Sequence, residues 1–344
     1  MYKWKAIYFF SSLTSLLINN FKNHEGQVFK KILVIRLDEI GDMITTLPVF
    51  DHLKKKFPNA EITVWCLPLT AQLLKYNTAI HKVVFNKNEL TEKYDLVVDL
   101  RGDFKTMWYA LTHLPKIRLD RGTVRFRNKF LMKQHPHEVY TNLQVLQPVI
   151  GKIDGQVSIE LPFGKENENA AVQFLEKNSI RKFAILHSGA RKLLRRLPGE
   201  KFASTAKYLK EKYNLDIVFV GTDDELGDIK KIQEQINFPT YVFNGYSLLD
   251  FAALSSKASV MIGNESGPMH LAAAVNIPVI GLFGPGEPHV FAPYGKKTTF
   301  IHHKLECNPC DQIHCVHPEF PCMYRITAEE IIEKLSELPI EKSG

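Results

Sequence analysis

The stretch KILVIRLDEIGDMITTLPVFDHLKKKFP, Lys31 to Pro58, joins two patterns. Its first run, Ile32 to Ile35, is short, apolar and largely β-branched, as a strand buried on both faces should be. After it, Met43, Leu47, Phe50, Leu53 and Phe57 recur close to helical spacing. Between the two lie Asp38, Glu39 and Asp42 around Gly41, so the acids fall on a loop at the carboxyl end of a first parallel strand. In open α/β sheets that is where ligands bind. Acids near a helix start are also favoured by the macrodipole with no ligand involved. This stretch alone leaves both readings open.

Outward from it, the alternation continues. KILVIRL, AEITVWCL, HKVVFN and YDLVVDLRG read as strands, and the segments after the first, second and fourth read as helices. That pattern predicts βαβ units and a parallel sheet. Gly151 to Lys182 holds a Gly/Pro-punctuated connection and a polar helix, and reads as the link between two domains. A second α/β series then runs from FAILHSG to PVIGLFGP. The length of 344 residues fits two domains of about 150 to 170 residues each. The expected division is an N-terminal extension 1–26, a first Rossmann-like domain 27–160, a second 161–326, and a C-terminal segment 327–344.

Apolar content of 45% and charged content of 24% are those of an ordinary globular protein. The net charge of +7 points to an anionic partner. No run approaches the roughly 18 apolar residues of a membrane span. The N-terminus places Tyr2, Ala6, Phe9, Leu13, Leu16 and Leu17 on one helical face, with Lys3 and Lys5 near the start. It lacks a small-residue cleavage site, so a signal peptide is not expected. An interfacial helix on an anionic membrane surface fits its Trp, Tyr, Phe and Lys content, and packing on the protein's own body is the alternative.

Two loops in the second half carry the anion chemistry. In ASVMIGNESGPMHLAAAV a strand ends at Ile262, Gly263 to Gly267 form a loop, and Pro268 opens a helix that includes His270. Pro suits the first helical turn, and small residues there let a diphosphate approach the first amides. Glu265 can accept from sugar or ribose hydroxyls. In FAILHSGARKLLRRLP a strand ends at His187, Ser188 and Gly189 turn, and Arg191, Lys192, Arg195 and Arg196 follow. Arginine can grip phosphate oxygens with two donors at once. GLFGPG has the wrong spacing for a dinucleotide fingerprint, which disfavours a nicotinamide oxidoreductase.

The motifs IRLDEIGDMITTLPVF, YDLVVDLRG, RLDRGTVR, HSGA…RRLP, LLDFAALSSKASVMIGNESGPMHLAAA and LFGP, from Lys31 to about Leu335, resemble glycosyltransferase family 9, the lipopolysaccharide heptosyltransferases. The resemblance implies a GT-B fold, two Rossmann-like domains facing each other across a cleft. It implies acceptor on the first domain and sugar nucleotide on the second. It also implies an inverting transfer, with heptose from ADP-heptose as the donor sugar, onto a lipopolysaccharide core acceptor. Asp42 matches the family's general base; Asp38 and Glu39 are then solvated or structural, and Asp103 is the reserve base. Ser188, Gly189, Arg195, Tyr246, Glu265, Ser266, Gly267, Pro268 and His270 fall to the sugar nucleotide, with Tyr246 either stacking on the base or packing. Arg101, Asp103, Arg118, Arg121 and Arg125 fall to the acceptor, within a basic run that solvation alone would also explain. The chain departs from the family by reading Arg195-Arg196-Leu197-Pro198 where an aromatic is usual before proline, and Glu265 where Asp is usual. In such folds a C-terminal helix commonly crosses back to the first domain, and Thr327 to Leu338 is the candidate.

The absence of any Asp-x-Asp pair favours metal-independent departure of the diphosphate, with no cofactor required for catalysis. Cys66 reads as a buried small hydrophobe. Cys307, Cys310, Cys315 and Cys322 suggest a structural zinc ion, with disulfides or free thiols as alternatives and His314 and His317 as substitute ligands. The expected location is cytoplasmic, peripheral on the inner face of the cytoplasmic membrane, as a monomer with no nucleic-acid partner. Two other classes stay open: a nucleotide-sugar epimerase of similar two-domain shape, and a non-catalytic sugar-nucleotide-binding protein.

Overall fold

A computed structural model describes residues 23–113, 115–153, 155 and 157–340. Residues 1–22, the body of the expected interfacial helix, lie outside the described residues. The chain forms two compact units, one ending at Glu160 and the other beginning at Leu161.

The first unit is built on five strands: β1 (Lys31–Arg36), β2 (Glu61–Cys66), β3 (Lys82–Val84), β4 (Leu96–Asp99) and β5 (Ile117–Asp120). They are ordered β3-β2-β1-β4-β5 and every pairing is parallel. In β1, Ile32, Leu33, Val34 and Ile35 are all buried, because helices cover both faces of a parallel sheet and no residue there is left for water. Trp65 is nearly inaccessible and meets Tyr109 edge-on, 5.6 Å between centroids. The order reverses direction between β1 and β4, which opens a crevice beyond their carboxyl ends. The fifth strand falls in a segment that the basic run had marked as an acceptor face.

The second unit carries β6 (Phe183–His187), β7 (Asp216–Val220), β8 (Thr240–Phe243), β9 (Val260–Asn264), β10 (Val279–Phe283) and β11 (Thr298–His302). The order is β11-β10-β9-β6-β7-β8, again wholly parallel. Its reversal lies between β6 and β9, where His187 stands opposite Gly263.

The C-terminal segment holds the helix Ala328–Ser336. It is amphipathic, and its apolar side is spent at home: Ile331 and Leu335 are fully inaccessible in the same core cluster as Leu209, Ile280 and Ile301. It packs against the helix Gly199–Tyr213 and against β10 and β11. Thr327 caps it, accepting from the Glu330 N–H while Glu330 returns a bond to the Thr327 N–H. Among the described residues no helix is long and apolar enough to cross a membrane. Leu335→Ala should therefore destabilise the second unit by about 2–5 kcal/mol, read as a lower urea midpoint for that unit; an unchanged midpoint would show that the helix does not belong to its core.

Candidate active site

The first unit gathers charge at the crevice beyond β1 and β4. Arg36, the last residue of β1, is completely inaccessible. A buried guanidinium must find acceptors for its donors. Its Nη1 donates to the Leu100 carbonyl at 2.6 Å, and its Nη2 donates to Asp42 Oδ1 at 3.0 Å. Asp42 sits in the short helix Ile40–Ile44, and its own carbonyl accepts from Thr45 and Thr46 hydroxyls at 2.9 and 2.8 Å. Both of its ion pairs, to Arg36 and to Arg121 Nη1 at 3.9 Å, fall on Oδ1. With the side chain 24% exposed, Oδ2 is the oxygen left to face a ligand among the described residues.

Glu138, which sequence reasoning passed over, is the anion at the centre. It is fully inaccessible and accepts from Arg121 Nη1 at 2.6 Å and from Arg125 Nη2 at 2.7 Å, with Arg36 Nη2 at 3.6 Å. Burial pushes its carboxyl up, but Arg121, Arg125 and Arg36 overcome that and hold it at about 2. Burial, then the neighbouring Arg125 and Arg36 charges, bring Arg121 down to about 10. Arg101 pairs with Asp38 and, through Nε at 2.9 Å, with Asp103. Asp103 also caps the helix Phe104–His113 by accepting from the Thr106 N–H at 3.0 Å.

The arginines expected to capture an acceptor are thus committed to carboxylates of the same unit. Arg118 is a correction: it is fully inaccessible, with Nη2 on Asp99 at 2.7 Å and Nη1 on Asp120 at 3.4 Å, and has no surface to offer an acceptor. It lies in β5, whose four residues are all buried, and alternation puts it on the face it shares with Asp120. Arg101, Arg121 and Arg125 surround Asp42 through their carboxylate partners and retain partial exposure only at Arg101 and Arg125.

In the second unit the loops after β6 and β9 meet. Asn264, fully buried, donates to the Ser188 carbonyl at 2.7 Å and accepts from the Leu197 N–H at 3.1 Å, so one amide ties both halves of the arginine-bearing loop. Ser266 is the N-cap residue of the helix Gly267–Ala274, with Pro268 in its first turn, yet its hydroxyl makes no capping bond. It donates instead to the Asn264 carbonyl at 2.8 Å, and so must accept from His187 Nδ1 at 3.1 Å. The helix start is left without a side-chain cap, as an anion site requires. His270, in this helix, is buried.

Two glutamates flank this loop pair in opposite states. Glu225 Oε2 lies 3.8 Å from His187 Nε2. Burial raises its carboxyl, but the neighbouring His187 ring and the Thr222 N–H bring it down to about 2. A Cβ on Gly189 would stand 1.8 Å from Glu225 Oε1, so only glycine lets this carboxylate close over the loop. Glu265 is buried, its Oε1 3.3 Å from Arg195 Nη1 and its Oε2 without a hydrogen-bond partner among the described residues. Burial pushes its carboxyl up to about 7, against the pull of Arg195 and with a push from Glu287. A Cβ on Gly286 would stand 2.0 Å from Glu265 Oε2, which gives LFGPG its role: a loop that must lie flat against the acid.

Arg195 is gripped from the far side too, its Nε donating to Gln312 Oε1 at 2.7 Å. Arg196 turns away, to the Ala190 carbonyl and to Asp228 at 3.1 Å. Tyr246 stacks on Phe243 at 3.8 Å between centroids with an interplanar angle of 7°, so packing takes one ring face; the residue is still 43% exposed.

A family model described as glycosyltransferase family 9 (heptosyltransferase) matches residues 85–320. The chain belongs to glycosyltransferase family 9. As a family 9 member it is a glycosyltransferase, and the epimerase and non-catalytic readings are set aside. It is 25% identical over 287 residues to lipopolysaccharide heptosyltransferase 3 of Escherichia coli, covering 73% of this chain and 82% of that one. Its fold is similar to that of the family 9 glycosyl transferase of Veillonella parvula, with a TM-score of 0.75 at 22% identity over 90% of this chain and 97% of that one. It is also similar in fold to the Escherichia coli ADP-heptose LPS heptosyltransferase II, with a TM-score of 0.69 at 20% identity over 89% and 98%. The family 9 fold is GT-B, and each unit here supplies one Rossmann-like parallel sheet.

Cys307, Cys310, Cys315 and Cys322 of this family 9 chain are free thiols that line one small cavity of about 30 Å³ together with His314 and His317. Burial, then interactions with the other three thiols, leave the Cys322 thiol at about 11. Among the described residues no three His, Cys, Asp or Glu side chains converge closely enough to hold a metal ion. Cys66 is buried, and burial pushes its thiol up to about 12.

The raised carboxyl of Glu265 fixes a pH dependence. Its folded value lies above its ordinary 4.5, so the folded state binds the extra proton between about pH 4.5 and 7 and stability falls as pH rises through that window. Glu265→Gln removes the titration. The melting temperature of the variant relative to the parent should rise by at least ~2–4 °C between pH 5 and pH 8 in ligand-free protein. A difference that stays flat with pH would show that Glu265 is ionised throughout.

Proposed function

We propose that this chain is an inverting glycosyltransferase that moves heptose from ADP-heptose onto a lipopolysaccharide core acceptor. The observation that carries it is that each unit has its polar site at the reversal of its own parallel sheet, one with a reachable carboxylate and the other with an uncapped helix start beside an arginine. The names of its relatives supply the sugar and the acceptor class.

In the proposed step the acceptor hydroxyl oxygen attacks the anomeric carbon as Asp42 Oδ2 takes its proton. The bond between that carbon and the diphosphate oxygen breaks, and negative charge collects on the departing nucleoside diphosphate. Arg195 and the amides of Gly267 and Met269 are the groups suited to receive it. Glu225 and Glu265 suit hydroxyl groups of the donor, and the open face of Tyr246 suits its base. Arg101, Arg125 and Asp103 bound the acceptor side, while Arg36, Arg121 and Glu138 hold Asp42 in place. Peripheral attachment to the inner face of the cytoplasmic membrane and a monomeric state belong to the same proposal, the first supported by the net charge of +7.

Asp42→Asn should lower turnover by about a hundredfold or more and leave donor affinity by calorimetry within about twofold, since the amide keeps the shape and the Arg36 contact. A variant that still turns over at the parent rate would remove Asp42 as the base.

A structural zinc ion is proposed separately. The four cysteines Cys307, Cys310, Cys315 and Cys322 line one cavity and an all-thiolate set suits Zn²⁺, but they do not converge in this arrangement, so the ion would have to draw them together. Such an ion would brace the segment that carries Gln312. Metal analysis of protein purified without chelator should find about one zinc per chain; four titratable thiols and no metal would leave the cluster as free cysteines.

A further inference from the structure

The helix Arg121–Phe126 runs on without a break into the π-helical stretch Arg127–Leu131. At its end Phe130, Leu131 and Met132 are 37%, 70% and 51% exposed, three large apolar side chains in a row facing water. Such a run is not stable ornament on a globular surface; it marks a contact. Its flanks are Lys129 and Lys133, both exposed, and neither makes an ion pair among the described residues. Between Asp120 and Glu138 the sequence has no acid, and Glu138 itself is buried under Arg121 and Arg125. The tip therefore shows apolar surface ringed by uncompensated positive charge.

The tip is held in this form. Phe126 packs on Phe130 at 5.1 Å between centroids. Asn128 donates to Gln144 Oε1 at 2.7 Å, which pins the stretch to the helix Glu138–Ile150, and the Gln134 N–H closes the turn on the Asn128 carbonyl at 2.9 Å.

We infer that this tip docks into an anionic lipid bilayer, with Leu131 and its neighbours sunk at the acyl boundary and Lys129 and Lys133 on lipid phosphates. Apolar side chains beside lysines are the pairing that an anionic interface rewards. In sequence the tip is distinct from the N-terminal segment. It also has a consequence for the site: Arg121, at the other end of the same helical stretch, lies 3.9 Å from Asp42. At about 1.5 Å per residue the step from Arg121 to Leu131 spans roughly 15 Å at most, which sets the scale of the distance between Asp42 and a docked tip. That link to catalysis rests on the transferase reading; the docking does not.

Leu131→Trp in the full chain tests the docking with no donor or acceptor present. Residue 131 is exposed, so the change does not strain the fold, and the parent with its own three tryptophans is the reference. With vesicles of 30% phosphatidylglycerol and 70% phosphatidylcholine carrying brominated acyl chains, the extra emission of the variant should fall by about half or more. Pure phosphatidylcholine vesicles should leave it unchanged, and Lys129→Gln with Lys133→Gln should weaken partition roughly thirtyfold at low salt. Extra emission that bromine does not quench would overturn the inference, and would assign the tip instead to a second copy, a protein partner or the chain's own first residues. Quenching that ignores phosphatidylglycerol and both lysines would overturn the electrostatic half.

Discussion

A guanidinium with no access to water sits at the end of β1, and the first unit is arranged around that fact. Arg36 cannot be left unpaired at this depth: removing one partner of a buried ion pair costs about 3–5 kcal/mol. It draws in Asp42 from the helix that follows, Leu100 from the end of β4, and Glu138 from a helix a hundred residues on. Each brings an element with it. The reversal of strand order puts β4 beside β1, so that Asp99 stands opposite Ile35 and the loops after both strands share one crevice. The charges that stabilise the unit are therefore the charges that orient Asp42.

This arrangement also explains why so many arginines produce so little free positive charge there. Arg36, Arg101, Arg121 and Arg125 face Asp38, Asp42, Asp103 and Glu138, cation for anion. A crevice balanced in this way holds a carboxylate still without surrendering it to a single partner. The uncompensated lysines lie further out, on the tip beyond Arg125, where the surface changes from paired charge to apolar side chains.

The sheet strands with continuous apolar runs were legible, because burial on both faces leaves a local signature: β1, β2, β4, β6, β9 and β10 all read directly. Strand β5 was not, since Arg118 and Asp120 give Ile117–Asp120 a polar look that only their buried pairing explains. The positions of Asp42, Arg195, Glu265 and Ser266 could be read from strand ends and helix starts, although Asp42 falls in the short helix Ile40–Ile44 and not on the expected loop. Glu138, Glu225 and Asn264 could not. Their importance comes from contacts across 13 to 102 residues of sequence, and nothing in their immediate neighbours distinguishes a buried, triply paired glutamate from a surface one. Gly189, in the turn after His187, was a partial signal for Glu225, because a glycine under a carboxylate marks close approach. The amphipathic pattern of the C-terminal helix showed that one face is covered, and a pattern cannot say by what; in the second unit that face meets the core around Leu209 and Ile280.

The second unit separates two glutamates by environment, and that separation decides what each can do. Glu225 accepts from the Thr222 N–H with His187 Nε2 3.8 Å away, stays ionised at about 2, and can only accept. Glu265 lies deeper, with Arg195 on one oxygen and, among the described residues, no hydrogen-bond partner on the other, and at about 7 it holds its proton part of the time near neutral pH. When protonated, Oε2 can donate as well as accept. Pairs of acids driven apart in this way are how one site handles both donors and acceptors. A sugar hydroxyl is both at once, so a site that offers one obligate acceptor and one acid able to switch suits a polyhydroxylated ligand better than two permanent carboxylates would. Arg195, clamped between Glu265 and Gln312, keeps that switch from running to the fully protonated side, and it does so with the same guanidinium that faces the place where a diphosphate's charge would collect.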